Sequence, residues 1–202
     1  MKMGVLQRVG RGLYTLGNEI FFYPKISKPI KRLYKKINED FPFADFCIWH
    51  TSSLNKFMRH QAARFQLMLD VERDVSESVF YFIKELYPNV FLNPNEEIYT
   101  KYISGKKDCI IISNLVSEAP TQEIYGVRTA TIEKILVDIY CDKIIYSAFQ
   151  GHEMKNIFYN AFNDYTININ TLLRYAQRRG KKSEIEQYII ENTNFKRVIK
   201  HD

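Results

Sequence analysis

Apolar positions along the first two-thirds of the chain switch repeatedly between strand and helix spacing. Residues 4–17, GVLQRVGRGLYTLG, alternate and turn at Gly10 to Gly12, which predicts a β-hairpin. Ile30, Leu33, Tyr34 and Ile37 recur at helical spacing. They stand behind Ser27, a capping residue type, and Pro29, which a first helical turn tolerates. Residues 43–49 and 64–71 read as strands. A helix opening at Asp74 or Ser76 carries the stripe Val79, Phe82, Ile83 and Leu86. Residues 90–92 and 109–112 are short apolar strands, the second introduced by a polar turn. Strand and helix in alternation predict an α/β fold, a mixed sheet with flanking helices.

The pattern changes within residues 126–142, GVRTATIEKILVDIYCD. Val127 and Thr129 fit a strand end. Ile132, Ile135, Leu136 and Ile139 then mark one face of a helix. Thr129 or Thr131 is placed to cap it, and Glu133 suits the positive end of its dipole. Asp138 falls on the flank of the stripe, about 110° from its centre at roughly 100° per residue. There its carboxylate is expected to reach water, a backbone group or a basic neighbour. Beyond this helix only helices are predicted, at 144–149, 152–162, 168–179 and 183–190. The chain therefore divides into a hairpin and connector over 1–23 and a main domain over 24–202. The main domain has an α/β part to residue 127 and a helical part from 128. Residues 115–122 read as a loop, with Glu118 and Glu123 a candidate carboxylate pair.

Composition narrows the function classes. A formal charge of +6 and a pI near 9.1 favour an acidic partner such as nucleic acid. Lys28, Lys31, Arg32, Lys35 and Lys36 crowd one short helix, either as a solvated face or as a grip on phosphates. Arg174, Arg178, Arg179, Lys181 and Lys182 gather where a later helix ends before Gly180. They complement its dipole, and Arg174, Arg178 and Arg179 are candidate phosphate contacts. Cys47, Cys109 and Cys141 are dispersed among apolar residues, as expected of buried thiols in a reducing cytoplasm. His50 and His60 have no ligand spacing, so no metal is expected. No Gly-rich phosphate loop follows any strand, so no nucleotide cofactor is expected. No apolar run approaches the roughly 20 residues of a membrane span, which points to a cytoplasmic protein with no membrane partner.

Three motifs carry a family resemblance. The hairpin, with RGLY at 11–14, resembles the wing of a winged helix-turn-helix domain of AbiEi-type antitoxins. Residues 127–138 are similar to the segment V-R-V-T-S-x-E-R-T-L-V-D of those proteins. Val127, Arg128, Glu133, Leu136, Val137 and Asp138 match it, Thr131 and Lys134 replace Ser and Arg, and Ala130 and Ile135 depart from it. LLRYAQRRG at 172–180 resembles their L-L-x-Y-A-x-R-x-G. The resemblance implies a bacterial antitoxin and transcriptional regulator of an abortive-infection, type IV toxin–antitoxin system. Such a protein counteracts a nucleotidyltransferase-type toxin and is not an enzyme. Arg8 and Arg11 would be the DNA-binding residues of the wing. Arg128, Glu133, Lys134 and Asp138 would form an antitoxin surface or play a structural part. Only residues 1–3 precede the wing, so DNA binding is expected to be weak and without sequence preference.

The rival from the residues themselves is a small metal-dependent nuclease of the restriction-enzyme type. Asp70 and Asp108 are its candidate strand acids, but no Glu-x-Lys follows within a strand.

Overall fold

The computed structural model describes residues 20–195 except 61 and 63, together with the backbone of 5–10 and 13–17. Its centre is a four-stranded mixed sheet of β3 (Phe46–His50), β4 (Gln66–Val71), β6 (Cys109–Asn114) and β5 (Val90–Leu92), in that spatial order. β3 runs antiparallel to β4, whereas β6 is parallel to both β4 and β5. The predicted α/β class with a helical C-terminal half is the architecture observed.

Strand alternation sorts the sheet residues to two faces. Phe46, Ile48, Leu69, Val71, Ile110 and Ile112 point to one core, covered by α1 (Lys28–Asp40) and α2 (Ser76–Leu86). Cys47, Trp49, Met68, Asp70, Cys109 and Ile111 point the other way. That face is covered by α4 (Ile132–Cys141), α5 (His152–Asp164), α6 (Ile169–Arg178) and α7 (Lys182–Asn192). The result is three layers, helix on sheet on helix.

α4 is the element both halves close upon. Thr131 caps it, its hydroxyl oxygen accepting from the Lys134 N–H at 3.5 Å, and every residue from Ile132 to Ile139 is buried. A helix exposed on one side shows a polar face to water. This one lies between the sheet and the other C-terminal helices and has no such side. Of the three destinations open to Asp138, the basic neighbour is the one observed: its side chain stays in the interior beside Lys134 and Arg179.

The predicted N-terminal hairpin forms, β1 (Val5–Gly10) against β2 (Leu13–Gly17) with Arg8 opposite Tyr14. The side chain of Arg8, the whole of Arg11 and residues 196–202 lie outside the described residues.

Other boundaries moved. The strand expected from residue 43 begins at Phe46, because Ala44 turns back to donate to the Phe41 carbonyl and leaves Phe43 97% exposed. The loop expected over 115–122 ends in a strand. β7 (Thr121–Ile124) pairs with β8 (Val127–Ala130) around Tyr125 and Gly126, both at positive φ. Two such residues make the turn that matches strand twist in a tight hairpin. Tyr-Gly is a poor sequence signal for it. Residues 144–149, expected as a helix, hold only one tight turn at Ser147–Phe149. A helical turn α3 (Glu96–Ile98), continued as a wider turn through Tyr99–Ile103, was not foreseen.

Candidate functional site

Between β4, α4 and α6 lies a chain of buried charges. Asp70, next to last in β4, faces α4. Lys134 and Asp138 stand four residues apart on α4 and so share a face. Lys134 Nζ donates to Asp70 Oδ2 at 2.6 Å and to Asp138 Oδ2 at 2.5 Å. The other oxygen of Asp138 accepts from the Tyr175 hydroxyl at 2.8 Å and from an Arg179 nitrogen at 3.2 Å. Arg179 also donates to Asp142 Oδ1 at 2.7 Å, and Asp142, at the C-terminal end of α4, brings the chain to the surface. At the inner end the Cys47 thiol donates to Asp70 Oδ2 at 3.7 Å, from the position opposite Asp70 on β3.

The charges alternate along this line, with three carboxylates meeting two cations. Lys134 is 1% exposed. Burial disfavours its ammonium, but the pull of Asp138 and then Asp70 outweighs that and holds its pKa well above the ordinary lysine range. Burial pushes the Asp70 carboxyl up, with Lys134 pulling it back only in part. Burial likewise raises the Asp142 carboxyl against the pull of Arg179. The Tyr175 hydroxyl and Cys47 thiol are raised by burial, so both keep their protons and act as donors.

The line holds one carboxylate more than cations, and Asp70 at its inner end is one of the two acids that burial raises. Asp70→Asn should change the unfolding free energy at neutral pH by less than about 1 kcal/mol, because Lys134 keeps Asp138. The pH dependence has a definite sign. A carboxyl raised in the folded state contributes stability below its unfolded pKa and loses that contribution as pH rises through the folded pKa. On lowering pH from neutral, wild type should gain stability relative to Asp70→Asn in urea melts. A difference that stays constant or moves the other way would remove Asp70 from the raised class.

The structure places the residues singled out from sequence in distinct settings. Lys134, Asp138 and Arg179 meet in the network. Glu133 is buried nearby and its Oε1 accepts from the Asn168 N–H at 2.9 Å, where α6 begins. With Asp138 at Tyr175 and Arg179, this makes α4 and α6 run side by side in the same sense. Of the two roles considered for Glu133, Lys134 and Asp138, burial supports the structural one. Arg128 is half-exposed, paired with Asp45, and its Nε donates to Thr121 Oγ1 at 2.9 Å. Arg174 and Arg178 remain at the surface but converge on Glu118, Arg174 at 3.5 Å. Arg179 is occupied by Asp138 and Asp142, which corrects its reading as a phosphate contact. Glu118, in turn, is held by Arg174 and Arg178.

Asp70 and Asp108 do not converge either. In the parallel register Gln66 stands opposite Cys109 and Asp70 opposite Ser113. Asp108 precedes Cys109, so the two acids sit toward opposite ends of the sheet, about 16 Å apart at roughly 3.3 Å per residue. Among the described residues, no group of three or more His, Cys, Asp or Glu is placed to hold a metal ion. No helix of the described residues is long and apolar enough to cross a membrane.

The match to known families spans this whole arrangement. A family profile described as "Family of unknown function (DUF6577)" covers residues 1–195. The chain belongs to DUF6577. No curated protein and no solved structure matches it. The DUF6577 region includes every strand and helix described above, and both halves of the charge network fall inside it.

Sequence reading missed Tyr175, Asp142 and Cys47 as members of the network. A signal for part of it was present. Lys134 with Asp138 and Tyr175 with Arg179 are each polar pairs at i, i+4 on helices with strong apolar stripes. Such pairs mark two faces that must find each other or water.

Proposed function

We propose that this DUF6577 protein is an antitoxin-like protein of an abortive-infection system that counteracts a nucleotidyltransferase-type toxin. The observation that carries the proposal is the meeting of two motifs that sequence alone leaves 34 or more residues apart. Residues 127–138 and 172–180 each resemble a segment of AbiEi-type antitoxins. In the fold, Asp138 of the first receives hydrogen bonds from Tyr175 and Arg179 of the second. Motifs that resemble one family and close on one another support a shared architecture of α4 and α6.

The chemistry of the network supports a non-enzymatic reading. General acid–base or metal-assisted hydrolysis needs a carboxylate open to substrate, water or metal. Both oxygens of Asp138 and Oδ2 of Asp70 are taken up by Lys134, Cys47, Tyr175 and Arg179, and both residues are buried. The network thus positions the exposed sides of the helical half, with Arg174, Arg178 and Glu118 on its outer surface.

Co-expression with a nucleotidyltransferase-type toxin of an abortive-infection system tests the proposal. The expected result is restored growth that depends on this chain. Continued growth arrest with the chain present and folded would overturn the proposal, as would divalent-metal-dependent cleavage of plasmid DNA by the purified protein.

A further inference from the structure

The outer ridge of α1 has a feature that folding does not explain. At about 100° per residue, Lys28, Lys31, Arg32 and Lys35 fall within an arc of roughly 100°. That arc lies opposite the buried residues Ile30, Leu33 and Ile37. All four bases are exposed. Lys35 meets Glu39 at 3.5 Å on the open surface, whereas Lys28, Lys31 and Arg32 have no ion-pair partner among the described residues. The arginines of the helical half behave differently: Arg174, Arg178 and Arg179 all reach carboxylates.

The charge also opposes the helix. Like charges three and four residues apart repel, and cations near a helix start oppose the positive end of its dipole. The first turn of α1 has no acidic residue, and Ser27 makes no side-chain capping bond. Bases in this position cost stability, a cost that an external anion would offset. The segment leading into the ridge adds a second element. Phe21 and Tyr23 are 51% and 62% exposed, while Phe22 between them is packed in the core. The Phe22 backbone is fixed by the Gln122 side chain, which donates to its carbonyl at 3.2 Å.

We propose that this surface binds single-stranded nucleic acid, with phosphates along Lys28, Lys31, Arg32 and Lys35 and a base stacked on Tyr23. The ridge advances about 10 Å along the helix axis, enough for a few phosphates of one strand. An exposed aromatic side chain five residues before a basic track supplies a stacking surface for unpaired bases, whereas a duplex keeps its bases stacked inside. An anionic membrane is disfavoured as the partner. A membrane-surface helix inserts its apolar face, and the apolar face of α1 is already buried against the sheet. The inference does not rest on the antitoxin reading, since its readout is binding by the purified chain without any toxin.

Fluorescence anisotropy with labelled oligouridylate and oligothymidylate of about 20 nucleotides tests it on the full chain. Four contacts at a slope of about −0.7 each predict that a fourfold rise in salt weakens binding ~50-fold. The triple variant Lys28→Gln, Lys31→Gln, Arg32→Gln should bind at least ~10-fold more weakly and lower the magnitude of the salt slope by about 2. Its thermal melt should be unchanged or higher, because the substitutions relieve repulsion. Lys101→Gln, Lys107→Gln, Lys155→Gln removes the same net charge from exposed positions elsewhere and should leave affinity within about twofold. Tyr23→Ala should weaken single-strand binding ~10-fold. Equal weakening by both triple variants would overturn the site. So would equally tight binding of a duplex of the same length, or binding only to phosphatidylserine vesicles.

Discussion

Asp138→Ala is expected to lower the unfolding free energy by about 3–5 kcal/mol, the range for removing one partner of a buried ion pair. Asp138 is the acceptor for three donors at once, from Lys134, Tyr175 and Arg179. Its removal leaves Lys134 with only Asp70 and takes away two of the polar ties between α4 and α6, those from Tyr175 and Arg179. Urea denaturation followed by circular dichroism measures the loss. The consequence for function follows from the same contacts. A variant that loses toxin neutralisation together with its cooperative unfolding transition has lost its scaffold. A stably folded Asp138→Ala protein with wild-type unfolding would contradict the central place given to this carboxylate.

Lys134→Met should cost a similar amount, about 3–5 kcal/mol at neutral pH, for the opposite reason. Methionine fills much of the space of the lysine stem, so the loss is electrostatic. Asp70 and Asp138 would then face each other across a buried gap without the cation between them. Asp70, already raised by burial and pulled back by Lys134, would prefer its neutral form more strongly, with a folded pKa above the unfolded one. A group shifted that way contributes stability at low pH and loses it as pH rises. The deficit of Lys134→Met relative to wild type should therefore shrink as pH falls. The triple variant Asp70→Asn, Lys134→Met, Asp138→Asn should recover most of the loss, because it removes the charges together rather than stranding one. A triple variant less stable than Lys134→Met would show that the ion pairs themselves, and not only their balance, stabilise the fold.

These predictions give the buried line of charges a defined role beside the exposed ridge of α1. The network joins sheet to helices and spends its functional groups on one another. The ridge keeps its groups open. The two stretches are equally basic when read as sequence, yet among the described residues Arg174, Arg178 and Arg179 are matched by acids and Lys28, Lys31 and Arg32 are not. The difference lies in where acids come to rest. Glu118, Asp138 and Asp142 are distant from Arg179 or Arg178 along the chain and adjacent to them in space. No acid does the same for Lys28, Lys31 and Arg32 among the described residues.

The amino-acid sequence by itself determined the elements whose apolar spacing is unambiguous. α1, α2, α5 and α6 have one buried stripe each, and the strand at Cys109–Asn114 is a short apolar run, so local period and turn chemistry suffice to place them. It also narrowed the cap to Thr129 or Thr131 and placed the helix beyond it, since both depend on neighbours within one turn; the structure selects Thr131. Tertiary structure alone decided what lies opposite those elements. β7 is polar and becomes a strand only because β8 pairs with it across Tyr125 and Gly126. α4 loses its solvent side only because helices close over it. Asp138, which local spacing puts on a flank, becomes an interior acid because Lys134, Tyr175 and Arg179 arrive around it. Spacing along a chain sets which side chains share a face. Whether that face meets water, a sheet or another charge depends on contacts between segments distant in sequence, and in this protein those contacts decide which charges are spent and which remain open.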